Sequence, residues 1–215
     1  MEDCKKDIMK SVISFDLDGT LTTRAFVDAV WDEGVPSHVS LSYKIPRETA
    51  RFLCRNAYEM IGDRSIKYYQ LPYWLKYLGL HTDAKDIIKT FSHSIAIFND
   101  VLPTVKKLKQ QGFKLVIFSN ATRLFLDEEM SKGGLSPYFD LVVSLPDDWG
   151  MLKSDPAAFK RLETAVGPFI HIGDNMHHDF EAPLKAGYNA YHVYRGDGEM
   201  HEGSLSSLED IIRII

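Results

Sequence analysis

The chain has 215 residues, of which 45% are hydrophobic and 26% charged, enough for one domain with a buried core or for a core carrying an insertion. Its net charge of −5 excludes a sequence-independent nucleic-acid binder, which needs a basic face, and no apolar run approaches the ~20 residues that span a bilayer. Residues 1–7 mix charges without an apolar stretch, unlike a secretory leader, and Cys4 and Cys54 lack C-x-x-C spacing, so a cytoplasmic protein with reduced thiols is expected.

In chain order, the first element is an apolar run at 12–15, read as a strand. It ends in Phe15-Asp16-Leu17-Asp18-Gly19-Thr20-Leu21-Thr22. Residues two apart on a strand share a side, so Asp16 and Asp18 emerge together where the strand meets solvent. Two close carboxylates repel unless a cation or a shared proton separates them. The pair is therefore a candidate nucleophile and metal site, while on its own it reads equally as an acidic turn. Gly19 permits a sharp turn and Thr20 adds a hydroxyl.

From 23 to 98 the pattern is helical. Ala50, Leu53, Ala57 and Met60/Ile61 follow one face; Ala84, Ile87/Ile88, Phe91 and Ile95 follow another. Between them Ile66, Tyr69, Tyr73 and Tyr77 keep helical spacing, and Pro72 must end or kink that helix. A crossover between parallel strands needs only a dozen or so residues, so this segment reads as a helical cap over the carboxyl end of the first strand. Further nearly continuous apolar runs at 115–118, 141–143 and 169–172, with a weaker one at 190–193, read as buried parallel strands. Val101/Leu102, Val105 and Leu108 mark a helix stopped by Gly112, and Asp155-Pro156 opens another with Phe159, Leu162 and Val166 inward. The expected architecture is an α/β doubly wound parallel sheet, formed by 1–22 and 99–215, with an all-helical cap at 23–98.

Ligands of open α/β sheets bind outside the carboxyl ends of the strands. Read in order, those ends carry Asp16 and Asp18, Ser119 and Asn120, and Asp174, with Asp179 five residues further on and Lys153 before the helix at 156. Carboxylates, a hydroxyl, an amide and one ammonium suit a phosphoryl group beside a hard cation. Asp179 reads alternatively as a helix cap. His177 and His178 raise zinc as an alternative, but the remaining ligands are hard oxygens that favour Mg²⁺. His171 falls inside a strand and reads as a satisfied core histidine.

The segments F-D-L-D-G-T-L-T (15–22), V-I-F-S-N-A-T (116–122), K-S-D-P-x-x-F (153–159) and I-G-D-N-M-H-H-D-F (172–180) together resemble the haloacid dehalogenase superfamily, in its phosphatase branch with a helical cap after the first motif. The resemblance implies a Rossmann-like core and an Mg²⁺-dependent phosphatase. Asp16 would be the nucleophile and Asp18 the general acid and base. Ser119, Asn120 and Lys153 would bind the phosphoryl group. Asp16, Asp174 and the backbone carbonyl of Asp18 would hold Mg²⁺, with Thr20 and Asp179 in support. Asp18 separates this chain from the dehalogenases, whose reaction needs no leaving-group protonation. The substrate implied is a small phosphorylated metabolite, without nucleic acid or membrane.

In the cap, Tyr68, Tyr69, Tyr73, Trp74 and Tyr77 cluster, as core or as a pocket wall. Arg24, Arg47, Arg51, Arg55 and Arg64 are possible anchors for a second anion. Two other classes compete. A signalling receiver also forms a phosphoaspartate, but it is shorter, lacks a cap and carries its acceptor on a middle strand. A non-catalytic binding module would have lost one of the reactive groups. No G-x-G-x-x-G or G-x-x-x-x-G-K-[ST] supports a nucleotide-binding oxidoreductase.

Overall fold

A computed structural model describes residues 12–196 and 200–215; the readings made on 1–11, Cys4 among them, lie outside the described residues. Five strands form one parallel sheet: β1 (Val12–Phe15), β2 (Lys114–Ser119), β3 (Leu141–Ser144), β4 (Phe169–Gly173) and β5 (Asn189–His192). Their order is β3-β2-β1-β4-β5. The chain builds outward from β1 on one side, then jumps across it to β4 and builds outward on the other. The strand order therefore reverses between β1 and β4, where a crevice opens at the carboxyl ends. In register, Phe15 lies beside Ile117 of β2 and Ile172 of β4, so the loops leaving β1 and β4 start at the same height. The last strand begins one residue before its apolar run, at Asn189, and Val193 instead bridges to Leu205.

Between β1 and β2 the described chain is helical. Helix α1 (Ala25–Asp28) continues through a π-helical stretch (Ala29–Gly34) into α2 (Val35–Tyr43); α3 (Arg47–Ile61), α4 (Ile66–Tyr69), α5 (Leu71–Tyr77) and α6 (Ala84–Phe91) follow. The break between α4 and α5 falls at Gln70, with Pro72 in the first turn of α5, as a missing N–H requires. These helices bury their own cluster, including Phe26, Val30, Leu71, Leu75 and Ile87, and Phe125 from the sheet side packs into it. The inward face of α3 differs from the sequence expectation. Ala50 and Cys54 are buried, whereas Leu53 is 48% and Met60 82% exposed. The contact stripe is Ala50, Cys54 and Tyr58, offset by one residue; small side chains there let α3 lie close to its neighbours. The insertion is joined to the sheet by a narrow neck, where Thr23 N–H donates to the Ala96 carbonyl (2.8 Å) and Phe98 N–H to that of Leu21 (3.1 Å).

The remaining helices are α7 (Val101–Gln110), α8 (Arg123–Lys132), α9 (Pro156–Val166), α10 (Ala182–Lys185) and α11 (Ile211–Ile214). Alternation along the strands sends Ile13, Phe15, Leu115 and Ile117 to one face, against Val105 and Leu108 of α7 and Ile211 of α11. It sends Val12, Val116 and Phe118 to the other, against Phe159 and Leu162 of α9. Both faces are covered, and each buried Leu, Ile or Phe side chain contributes about 1.5–3 kcal/mol. Among the described residues, no helix is long and apolar enough to cross a membrane.

Candidate active site

The loop leaving β1 turns sharply at Gly19, whose φ of +86° favours glycine. A Cβ there would also sit 2.3 Å from Asp174 Oδ2. The turn aims Thr20 across the crevice: its hydroxyl accepts from Asp174 N–H (2.9 Å) and lies 3.0 Å from Asp174 Oδ1 and 3.5 Å from Asp16 Oδ2. Thr20 thus ties the β1 loop to the β4 loop. Asp16, Thr20, Ser119, Asn120, Lys153 and Asp179 are all buried.

Lys153 reaches in from the segment before α9, and its ammonium sits between two carboxylates, 2.5 Å from Asp16 Oδ1 and 2.6 Å from Asp179 Oδ1. Burial alone would lower the Lys153 pKa, but Asp16 and Asp179 outweigh it and hold it above the ordinary value. Burial acts on Asp179 in the opposite sense, and Lys153 with His171 overrides it, holding that carboxyl well below the usual range. Asp179 is not the cap of the following turn; Asn175 is, accepting from His177 and His178 N–H (3.0 Å each), while Asn175 N–H donates to Asp179 Oδ2 (3.1 Å). A Cβ at Gly173 would lie 2.3 Å from Asp179 Cγ, so this packing requires glycine at 173.

The second motif folds around Asn120. Its Oδ1 accepts from Lys153 N–H (3.0 Å), and its Nδ2 donates to the Tyr69 hydroxyl of α4 (3.3 Å). Ser119 Oγ accepts from Ala121 N–H (3.0 Å), which leaves its own proton available.

Oxygens of Asp16, Asp174 and Asp179 lie within 4.8 Å of one another. Burial first, then the neighbouring Asp179 charge, pushes Asp174 up to about 6. Burial pushes Asp16 well above the usual range although Lys153 opposes it. Three carboxylates with one ammonium leave a local deficit of positive charge. An all-oxygen, anionic donor set of this kind fits a hard divalent cation. Neither His177, paired with Glu181 at 3.4 Å, nor His178, paired with Asp63 at 3.1 Å, belongs to the three-carboxylate group.

The Asp18 side chain stands apart from that group. It meets Glu129 of α8, a fully buried residue with no place in the sequence expectation. Burial pushes both carboxyls up. The two carboxyls lie close enough for each to raise the cost of ionising the other. Glu128-Glu129 in a helix reads from sequence as a solvated acidic face, and no local signal marks the second as buried.

A cavity of about 570 Å³ extends from these groups to the insertion, where Arg24, Trp31, Arg55, Tyr58, Tyr68 and Tyr69 line it. Arg24 is paired with Asp28 (3.5 Å) and Arg55 with Asp32 (3.2 Å). Arg47, Arg51 and Arg64 do not line it, nor do Tyr73, Trp74 and Tyr77, whose rings pack on one another.

A model of the haloacid dehalogenase-like hydrolases matches residues 10–187. The chain is similar to the GMP/IMP nucleotidase YrfG of Escherichia coli, 25% identical over 155 residues that make up 72% of this chain and 68% of the relative. It is also similar to the glyceraldehyde 3-phosphate phosphatase of Methanocaldococcus jannaschii, 23% identical across 94% of this chain and 96% of the relative. A solved HAD phosphatase from Thermococcus onnurineus superposes with a TM-score of 0.82 at 21% identity, covering 95% of this chain and 97% of the other, which shows the shared fold. With the family match running across both the sheet and its helical insertion, the chain is an enzyme that belongs to the haloacid dehalogenase-like hydrolases.

Proposed function

We propose that the chain is an Mg²⁺-dependent phosphatase that hydrolyses a small phosphorylated metabolite through an aspartyl-phosphate on Asp16. The observation that carries this reading is the Lys153 ammonium seated on Asp16, with a second carboxyl, Asp18, on the same loop. A carboxylate approaches an anionic phosphate only when their repulsion is screened. Lys153 supplies part of that screening, and Mg²⁺, held by Asp16, Asp174 and the Asp18 carbonyl, would supply the rest by polarising the phosphoryl group.

In the first step the Asp16 oxygen forms a bond to phosphorus and the bond to the leaving oxygen breaks. Asp18, whose carboxyl burial holds above its ordinary pKa, gives its proton to that oxygen. In the second step water attacks phosphorus, Asp18 takes a proton from it, and Asp16 leaves with inorganic phosphate released. Acid and base work by one placed group is worth about 10²–10⁴ in rate. Ser119 and the backbone beside Asn120 bind the phosphoryl oxygens.

The segment 23–98 acts as the cap, and 1–22 with 99–215 as the catalytic core. A cavity of about 570 Å³ is in the range of sites that enclose small molecules, and the similar proteins act, by their names, on nucleotides and on glyceraldehyde 3-phosphate. The acidic balance and the unpaired Cys54 favour a cytoplasmic setting.

The test is phosphate release from a panel of phosphorylated metabolites, with Mg²⁺ or with a chelator, beside Asp16→Asn. Turnover is expected only with Mg²⁺ and the native Asp16. Undiminished turnover by the variant would refute the mechanism.

A further inference from the structure

His171 is buried to 0% exposure in the middle of the sheet, at a β4 position whose register partner is Ser14 of β1. Central positions of parallel sheets are ordinarily aliphatic, and a buried imidazole is costly unless its nitrogens are bonded. Here both are. Ser14 Oγ lies 2.6 Å from Nδ1, and Nε2 lies 3.1 Å from Asp179 Oδ1. The ring is held edge-on between Phe118 (5.9 Å, 85°) and Phe159 (5.7 Å, 72°), which leaves it little room to rotate.

The direction of each bond follows from the donor inventory. Burial lowers the His171 pKa and favours the neutral ring; a carboxylate only accepts, so Nε2 carries the single hydrogen and Nδ1 accepts from the Ser14 hydroxyl. The same Asp179 oxygen accepts from Lys153, which also donates to Asp16. A continuous line of bonds therefore runs from the sheet interior, through Ser14, His171, Asp179 and Lys153, to the nucleophile. A lysine on a four-carbon stem has many rotamers. Asp179 fixes it only if Asp179 is itself fixed, and its Oδ1 is steered by His171.

We propose that His171 is a positioning residue for phosphoryl transfer, setting through Asp179 where the Lys153 ammonium stands on Asp16. The proposal rests on the phosphatase reading for its kinetic part; the bond network itself can be tested without turnover.

His171→Met keeps the volume and removes both nitrogens, whereas His171→Gln restores an N–H near the place of Nε2. His171→Met is expected to lower kcat about 10–100-fold, the usual scale for a residue that orients a reacting group, with KM within about threefold. His171→Gln should recover most of that loss, and Ser14→Ala, a smaller change to the sheet, should lower kcat a few-fold. In a Lys153→Met background the His171→Met loss should vanish, because its effect passes through Lys153. Equal losses in the Met and Gln variants, or losses that multiply in the Lys153→Met background, would make His171 a packing residue and overturn the proposal. ¹⁵N spectra of the folded enzyme should show His171 protonated on Nε2, with the signal altered in Asp179→Asn. An Nδ1-protonated ring overturns the network whether or not any phosphate is released. Native protein that turns over nothing, with the expected tautomer, would instead refute the phosphatase reading and with it the kinetic part.

Discussion

The two ends of the cavity are built in different ways. On the sheet side, Asp16, Thr20, Asn120, Lys153, Asp174 and Asp179 each hydrogen-bond a residue from another segment. On the helical side, Arg24 and Arg55 are paired within the insertion itself and more than half exposed. Tyr69 and His178 form hydrogen bonds that cross between the two sides. On the phosphatase reading proposed above, the groups that would meet a reacting phosphorus are held by long-range bonds and burial, and those that would meet the variable part of a substrate are held loosely. Precision of placement and adaptability are thereby assigned to different parts of one chain.

The largest effect is expected at Asp18. Asp18→Asn is expected to lower kcat/KM, which reports formation of the phospho-Asp16 bond, by about 10²–10⁴ on alkyl phosphates and by less on p-nitrophenyl phosphate, whose leaving group needs no proton. An equal loss on both substrates, measured by steady-state kinetics, would remove Asp18 from the acid role.

The charge deficit on the sheet side gives the next effect. Asp174 is raised to about 6 and Asp16 is raised too, so both bind protons more tightly folded than unfolded. Without a cation, their contribution to stability is full below the unfolded carboxylate value of about 4 and is lost as pH rises through the raised folded values, about 6 for Asp174. Asp179 has the opposite sign, but it is held so low that its contribution is lost only in strong acid. Mg²⁺ is therefore expected to raise Tm by several degrees at about pH 7.5 and by little at about pH 5, where protons compete for the same oxygens. An equal rise at both pH values in a thermal melt would mean that the ion binds elsewhere.

The helical side should respond more weakly and with more dependence on substrate. Tyr69→Phe removes the acceptor for Asn120 Nδ2. It is expected to raise KM by a factor of about 2–10, the worth of one neutral hydrogen bond, and unevenly across substrates. A uniform fall in kcat instead would place Tyr69 with the sheet-side machinery. At the far surface of α3, Leu53→Lys should change stability by no more than about 0.5 kcal/mol and kinetics not at all. A large loss in denaturant titration would mean that this face is covered in solution.

The sheet was legible because buried parallel strands are short apolar runs, and most of the candidate site residues because they sit where those runs end. Asp16, Asp18, Ser119 and Asp174 are each within a few residues of such an end, and Lys153 stands just before α9, the helix that follows β3. What sequence periodicity misjudged depends on partners far along the chain. The stripe on α3 shifted by one residue because apolarity alone does not say that Cys54 and Tyr58 outrank Leu53 and Met60 for the interior. Glu129 was invisible because its burial is created by the β1 loop packing on α8, more than a hundred residues away in sequence. His171 was read correctly as buried and bonded, yet its partners, Ser14 and Asp179, emerge only from the register of β1 against β4.

The neck has a consequence for how such a protein diversifies. The chain departs and returns through two adjacent segments bonded at Thr23–Ala96 and Leu21–Phe98, so the covalent links of the insertion to the sheet are two neighbouring points. Loop-closure entropy grows only as the logarithm of length, and the sheet feels much the same boundary whatever is tethered there. On the cap-and-core reading proposed above, another helical array grafted at the same two points would meet the same covalent boundary, provided that it replaced the bonds of Tyr69 to Asn120 and of Asp63 to His178.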